Sequence, residues 1–468
     1  MSLTTIKTRF APSPTGHLHL GNMRTALFNY LLAKKQGSGV FLLRIEDTDA
    51  SRSELVYLDS LMQDLRWLGL QWDEGPEEGG DAGPYLQAER MEIYEQYYQR
   101  LLETNHAYPC FCTEEQLALS RKMQHIAGQA PRYAGTCANL SKEEVDAKKA
   151  QGLPFTLRFR VPKNKVVRFN DLVKGSLVFQ SDDLGDFIIK RSSDAPAFMF
   201  CNAIDDAMMQ VSHAIRGEDH LTNTPRQILI LEALGLPAPQ YGHITLIVGP
   251  DNSPLSKRHG SKSVQELRSL GFLPEALNNY LARLGHYYPE NHLYSLAELS
   301  AHFSDAQLGR SAARYDQKQL DYWQKTALAR LTDQEIWSWL TLEVGSIIPK
   351  DKHIDFTQMI RAELVLPKDA VIWAKRAFTD ELEYTDEAKQ VLRETPDEFF
   401  KLAHNEHEYQ SLLEKLKTAG YKGKTLFQPL RAALMGTLQG PELTQWWPLL
   451  PEEKRIQRLN KEFHAKYL

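Results

Sequence analysis

The chain reads as an α/β protein: a parallel, doubly wound sheet, interrupted by an insertion with short strands of its own and followed by an all-helical C-terminal region. Three observations predict this. A strand, a helix and a second strand follow one another between Ile6 and Ile45; strand and helix patterns of the same kind resume at Ala195 after a stretch of different character; and beyond Val248 strand signals fade while helical ones dominate.

Ile6, Thr8 and Phe10 alternate as a strand does. Met23, Ala26, Leu27, Tyr30 and Leu31 fall on one stripe at three- and four-residue spacing, and the Gly37–Ser38–Gly39 turn stops that helix. Val40 to Ile45 is an apolar run typical of a strand covered on both faces. Such a β-α-β unit makes a right-handed crossover, and ligands bind beyond the carboxyl ends of its strands. The turn from Pro12 to Gly16, crowded by Ser13, Thr15, His17 and His19, lies there, as does the acidic run Glu46 to Asp49. Helix N-terminal N–H groups and imidazoles around one crevice suit an anionic polyphosphate.

Leu58, Leu61, Met62, Leu65 and Leu68 mark an amphipathic helix capped by Gly69, followed by a Gly-rich acidic loop from Asp73 to Pro84. From about Tyr108 to Asp194 the chain carries three cysteines and short β-like runs, Phe155 to Val161 and Leu177 to Gln180, and reads as the insertion. The second half of the sheet resumes with CNAIDD and VSHAIRG as strands. Thr224 and Pro225 begin a helix with proline in its first turn, Gly235 ends it, and Tyr241 to Val248 is the last strand. Pro274 to Leu284 is helical and closed by Gly285. After about Thr326, charged and apolar segments alternate around Trp337, Trp339, Trp446 and Trp447.

The 468 residues are enough for roughly three domains. A content of 42% hydrophobic and 25% charged residues is that of a soluble globular protein. No leader pattern and no run of about 18 apolar residues is present, so the chain reads as cytoplasmic and not membrane-bound. Four cysteines are too few for a disulfide scaffold. The net charge of −5 decides little, because electrostatic footprints are local.

Within TRFAPSPTGHLHLGN, Thr8 to Asn22, the tetrapeptide His19–Leu20–Gly21–Asn22 resembles the first signature of the class I aminoacyl-tRNA synthetases. Pro254–Leu255–Ser256–Lys257–Arg258, within SPLSKRHG, resembles the second. With FAPSPTG, RIEDTD and IRGEDH alongside, the chain resembles the bacterial glutamyl-tRNA synthetases, densely from Thr8 to about Gln324 and thinly beyond. The resemblance implies ATP-dependent activation of L-glutamate and its transfer to tRNA(Glu) by a monomeric enzyme, with Mg²⁺ accompanying the ATP phosphates. It divides the chain into a Rossmann catalytic domain in two halves (1–108 and 195–250), an insertion gripping the tRNA acceptor end (109–194), a loop and stem-contact region (251–325) and a helical anticodon-binding domain (326–468).

By the same resemblance, Thr15, Gly16, His19, Gly21, Asn22, Lys257 and Arg258 bind ATP, with His19, Ser256 and Lys257 acting in catalysis. Arg9, Ala11, Ser13, Glu46, Phe198, Asn202 and Arg216 form the glutamate pocket. Arginine is apt there, because its planar fork grips a carboxylate through two bonds. The competing reading is that Arg9 and Arg216 only pair with Glu46 and Glu218. Phe198 departs from the family, which usually has a tyrosine there. Cys201 reads as a pocket-wall residue. Cys110, Cys112 and Cys137, the last 25 positions after Cys112, match a zinc site of some family members. Asn139 stands where a further ligand belongs, so the site reads as incomplete unless His106, His125 or another group substitutes. Arg258, Lys262, Lys422, Lys424, Arg431, Lys454, Arg455, Arg458 and Lys461 are candidates for RNA-facing patches. Charging of tRNA(Gln) as well as tRNA(Glu), glutamylation of a modified tRNA base and an inactive RNA-binding relative are the competing functions.

Overall fold

Parallel pairing of four strands organises the N-terminal unit. The structure, a computed structural model, describes residues 5–48, 55–256, 262–380, 382–404, 406–465 and 467. Two units are present, 1–267 with 277–317 and 268–276 with 318–468.

In the first unit β1 (Lys7–Phe10) pairs in parallel with β2 (Val40–Leu43), from Lys7 opposite Val40 to Phe10 opposite Leu43. The crossover between them is α1 (Leu20–Lys34). On its other side β1 pairs with β8 (His213–Gly217), which pairs in parallel with β9 (Gln240–Ile244), giving the order β2-β1-β8-β9. Asn29 of α1, wholly buried, shows how the helix is seated on the sheet. Its amide donates to Ile215 O at 2.9 Å and accepts from Ile215 N at 3.3 Å, while its own carbonyl takes the Thr8 hydroxyl at 2.8 Å. A buried amide so fully satisfied fixes register as apolar packing cannot. Beyond the named strands, Arg44 N donates to Phe10 O and Glu46 N to Pro12 O, which carries Glu46 to the crevice.

Helices α2 (Leu55–Trp67) and α3 (Met91–Glu103) precede the insertion. There β3 (Ala107–Cys110), β4 (Thr156–Phe159) and β7 (Phe187–Lys190) form an antiparallel sheet, and β5 (Val166–Asp171) and β6 (Gly175–Gln180) a hairpin. Helices α4 (Glu114–Ile126) and α5 (Lys142–Ala150) each begin with a reciprocal capping box and bury no residue; the single-turn α6 (Ser181–Leu184) follows β6.

Two segments differ from the sequence reading. CNAIDD lies in α7 (Phe198–Met208) and not in a strand. Phe200, Cys201, Ala203, Ile204, Asp205 and Asp206 are all buried, and a run buried on every side has no periodicity to separate helix from strand. The last strand is broken: β9 ends at Ile244 and β10 (Ile247–Val248) pairs with β11 (Ala313–Arg314). The break follows from side chains that take the ladder groups, since Leu246 N donates to Glu218 Oε1 at 3.0 Å and Thr245 O accepts from Arg24. Helix α8 (Thr224–Leu234) has Pro225 in its first turn and ends at Gly235 in the left-handed conformation, as read.

The second unit is built of helices from Gln317–Leu328 to Lys461–Ala465 around Trp337, Leu340, Phe356, Phe399, Leu430 and Trp446. Arg458, read as a surface cation, is buried and donates to Leu434 O at 2.8 Å. Arg455 lies over the Trp447 ring, and Lys454 and Lys461 are drawn to Asp380 and Asp397. No described helix is long and apolar enough to cross a membrane.

His464, fully buried, donates from Nε2 to Arg458 O at 2.7 Å and accepts the Tyr384 hydroxyl on Nδ1 at 2.8 Å. Burial lowers it from 6.5 to about 4. The stability this neutral ring contributes is present above pH 6.5 and lost as the pH falls through about 4. Urea unfolding at a series of pH values should therefore show a decline on acidification that is shallower in His464→Gln; equal slopes would assign the decline to other groups.

Candidate functional site

The carboxyl ends of β1 and β8 open into a cavity of about 430 Å³. Its wall brings together all seven residues proposed for glutamate, namely Arg9, Ala11, Ser13, Glu46, Phe198, Asn202 and Arg216, with Thr15, Gly21 and Asn22 from the ATP set. Arg24, Asp219, His220 and Leu246 also line it. Gly16 and His19 stand outside that lining. Gly16 and Gly21 have open space where a Cβ would be, so a ligand can approach the backbone. His19 is exposed and caps α1 through an extended backbone (φ −100, ψ 163), pairing with Ser263 across an isolated bridge. With no side-chain cap and no acidic residue in the first turn, the helix presents donors suited to an anion. Ser256 is half-buried just after Leu255, whose N–H donates to Ile247 O at 2.9 Å. Lys257 and Arg258 lie outside the described residues.

Beneath the cavity lies a buried charge network. Arg9 grips Asp206 through Nε and Nη2 at 3.2 and 3.3 Å, and Arg44 donates to the same carboxylate at 2.8 Å. Arg44 also reaches Glu46 at 3.4 Å, and Glu46 accepts from Asn202 Nδ2 at 2.5 Å. Asp205 takes Arg90, Gln87 and Tyr94. Burial pushes Asp206 up, but the pull of Arg9 and Arg44 outweighs it and holds the carboxyl below its usual range. At Glu46 burial wins over Arg44 and Asn202, and the group is raised.

Arg216 is placed differently. Its Nη2 donates to Thr224 Oγ1 at 2.7 Å and Gln227 Oε1 at 2.6 Å, its Nε to His243 Nε2 at 3.2 Å, and its Nη1 is buried without a partner. Among the described residues no carboxylate forms an ion pair with it, and burial lowers the guanidinium to about 10. The pairing considered from the sequence is therefore not observed: Arg9 takes Asp206 rather than Glu46, and Glu218 takes Lys174 at 2.5 Å. Phe198 stacks obliquely on His220, with ring centroids 5.2 Å apart. Cys201 is not a pocket wall; its buried thiol donates to Ala197 O at 3.4 Å.

Asp206, Arg44 and His243 were not singled out from the sequence. Arg44 had left a signal, because one guanidinium inside an otherwise apolar strand requires a buried acid. Asp206 was hidden by the reading of its helix as a strand.

In the insertion the Sγ atoms of Cys110, Cys112 and Cys137 lie within 4.8 Å of one another, and Cys112 and Cys137 are 3.7 Å apart. Two thiolates on one tetrahedral zinc stand about 3.8 Å apart, given Zn–S bonds near 2.3 Å. Asn139 supplies nothing to this group, and His106 bonds Thr104 at 2.9 Å. The Tyr133 hydroxyl takes that place, 3.3 Å from Cys110 Sγ and 3.5 Å from Cys112 Sγ. The sulfur set fits zinc, with a phenol oxygen at its fourth side.

Residues 5–322 match the family described as tRNA synthetases class I (E and Q), catalytic domain, and residues 354–462 match an anticodon binding domain. Glutamate–tRNA ligase 2 of Nitrosococcus oceani is 54% identical over 473 residues, covering 100% of both chains. Glutamate–tRNA ligase 2 of Coxiella burnetii strain RSA 493 is 52% identical, covering 97% of this chain and 99% of that one. The crystal structure of the glutamate-tRNA synthetase from Elizabethkingia anophelis superposes with a TM-score of 0.87 at 29% identity, covering 98% of this chain and 100% of that one.

Asp206→Asn should destabilise the sheet-containing unit by about 3–5 kcal/mol, because it leaves Arg9 and Arg44 buried with too little negative charge. Urea unfolding measures this, and an unchanged midpoint would show that the network contributes nothing to folding.

Proposed function

The chain belongs to the class I tRNA synthetases of the glutamyl and glutaminyl family, and on that premise we propose that it is a glutamate–tRNA ligase. It activates L-glutamate with ATP to glutamyl-adenylate and passes the acyl group to the 3′ end of tRNA(Glu). The observation that carries this reading is Arg216, a buried cation at the cavity wall that forms no ion pair with the described residues. A substrate carboxylate completes its charge balance. The neutral amide of glutamine would leave the guanidinium uncompensated, and sites built for a charged partner discriminate strongly against its absence. Glu46, buried beside Asn202 across the same cavity, is the anion for the substrate ammonium.

Neither half-reaction needs a protein nucleophile. The α-carboxylate of glutamate attacks the α-phosphate and pyrophosphate leaves; a terminal ribose hydroxyl of the tRNA then displaces AMP from the adenylate. Catalysis is alignment and charge compensation. Thr15, Gly16, His19, Gly21 and Asn22, around the α1 N-terminus, form the phosphate cradle. Ser256, Lys257 and Arg258 match the family loop that compensates the departing pyrophosphate, with His19, Ser256 and Lys257 as the catalytic groups. Mg²⁺ travels with the ATP phosphates and keeps mostly water ligands.

The insertion is assigned to the tRNA acceptor end, residues 251–325 to the stem and the helical unit to the anticodon, which the match over 354–462 supports. We assign the enzyme to the cytoplasm, as a monomer, following the family resemblance. Labelled-glutamate and labelled-glutamine charging of tRNA(Glu) and tRNA(Gln) transcripts tests the reading. Glutamate should be attached to tRNA(Glu) and glutamine to neither; glutamine transfer would overturn it. Arg216→Ala should raise the KM for glutamate roughly 30- to 150-fold, the equivalent of about 2–3 kcal/mol for a bond to a charged group. A KM close to wild type would remove Arg216 from the substrate.

Cys110, Cys112, Cys137 and Tyr133 are the set that would hold a structural zinc, which would brace the start of the insertion by cross-linking it. Protein purified without chelator should contain close to one zinc per chain by elemental analysis, with most of it absent from Cys112→Ser. Metal-free wild-type protein that keeps its fold would instead make the cluster reduced thiols packed on a tyrosine.

A further inference from the structure

Arg216 is steered by two residues that are absent from the cavity wall. Its guanidinium lies over the Tyr241 ring at 5.0 Å, and its Nε points at His243 Nε2, 3.2 Å away. Thr224 Oγ1, which already accepts from Arg216, lies 2.9 Å from the same imidazole nitrogen. Nε2 can accept the Arg216 Nε–H only through a lone pair. The proton of the neutral ring must sit on Nδ1, and Nδ1 is 2.5 Å from Asp171 Oδ2. Asp171 ends β5 of the insertion, and its Oδ1 accepts from the backbone N–H groups of Val173, Lys174 and His243 at 2.9, 2.8 and 3.2 Å. The side chains of Asp171 and His243 are both fully buried. Burial also holds His243 below its ordinary value, which keeps the ring neutral.

We propose that Asp171 and His243 are positioning residues of the amino-acid pocket: the carboxylate fixes the imidazole tautomer, and the imidazole lone pair fixes the Nε edge of Arg216. The chain of bonds brings an acid to the arginine at one remove. A carboxylate bonded directly to the guanidinium would satisfy the charge that the substrate is meant to satisfy; a neutral acceptor orients it and leaves Nη1 to the ligand. The assignment rests on the glutamate-ligase reading for what Arg216 binds, but not for the tautomer. It also places a residue of the insertion in command of the amino-acid pocket.

Asp171→Asn tests this with little change of shape. The amide oxygen can keep the three backbone contacts while its NH₂ faces Nδ1, driving the imidazole proton to Nε2 and setting it against the Nε–H of Arg216. Nitrogen-15 NMR of histidine-labelled protein should show His243 protonated on Nδ1 in the wild type and on Nε2 in the variant. The KM for glutamate in tRNA charging should rise at least about tenfold, the loss of one bond to a charged group, while kcat and the KM for ATP stay within about twofold. Wild-type protonation on Nε2, an unaltered glutamate KM, or an equal rise in both KM values would overturn the proposal. The wild-type spectrum decides even if the variant does not fold, and it requires no activity. A chain that charges no glutamate but shows the Nδ1 tautomer would thus count against the ligase reading and not against the relay.

Discussion

One carboxylate, that of Asp206, holds the floor of the crevice together. Arg9 comes from β1, Arg44 follows β2 and Asp206 comes from α7 on the far side of the insertion, so a single buried anion joins the two halves of the sheet at the cavity. Removing a charge from water is costly, and the cost is offset only where geometry is close and the remaining hydrogen-bonding groups are satisfied. The two-pronged contact from Arg9 and the shorter one from Arg44 give both oxygens of Asp206 a donor. Glu46, in contact with Arg44 at a longer distance and bonded by Asn202, stays less well compensated and is raised. The same network thus supplies one anion fully committed to structure and another with capacity left for a ligand.

Arg216 shows the complementary arrangement for a cation. Three neutral acceptors orient it, and none cancels its charge. If Arg216 binds the substrate as proposed, selectivity for an anionic side chain follows from electrostatics before any shape is considered. The two arginines, equivalent when viewed as sequence candidates, have diverged in role because only one was given an internal acid. Arg9 reaches the cavity wall already paired with Asp206.

Much of this was legible in the chain. The β1–α1–β2 unit, the turn after β1 and the α8 boundaries follow from periodicity and from Gly and Pro, which act locally. Arg9, Glu46, Asn202 and Arg216, which the cavity wall brings together, were named in advance because motifs specify them one by one. What periodicity could not deliver was α7, whose buried acids and small apolar residues leave no polar face, or the break at Thr245, which is made by Glu218 and Arg24 from distant parts of the sequence. Asp171 and His243 were illegible for the same reason: an ordinary acid and an ordinary histidine, 72 positions apart, become a pair only through the pairing of tertiary elements. Tyr133 likewise stands four residues before Cys137, at a spacing that no ligand pattern would have singled out.

The capping boxes of α4 and α5 have a different consequence. Both helices bury no side chain, so each is held by its own N-terminal hydrogen bonds and by its connection to the sheets. Helices without a packed face open in small excursions that leave the rest of the fold standing. Amide protons along α4 and α5 should exchange with solvent through this local fraying, whereas those of β1 and α1, locked by Asn29, wait for the sheet itself to come apart. The insertion therefore combines a rigid root, where the β5 hairpin reaches His243, with outer helices that can adapt to a bulky partner without disturbing the crevice.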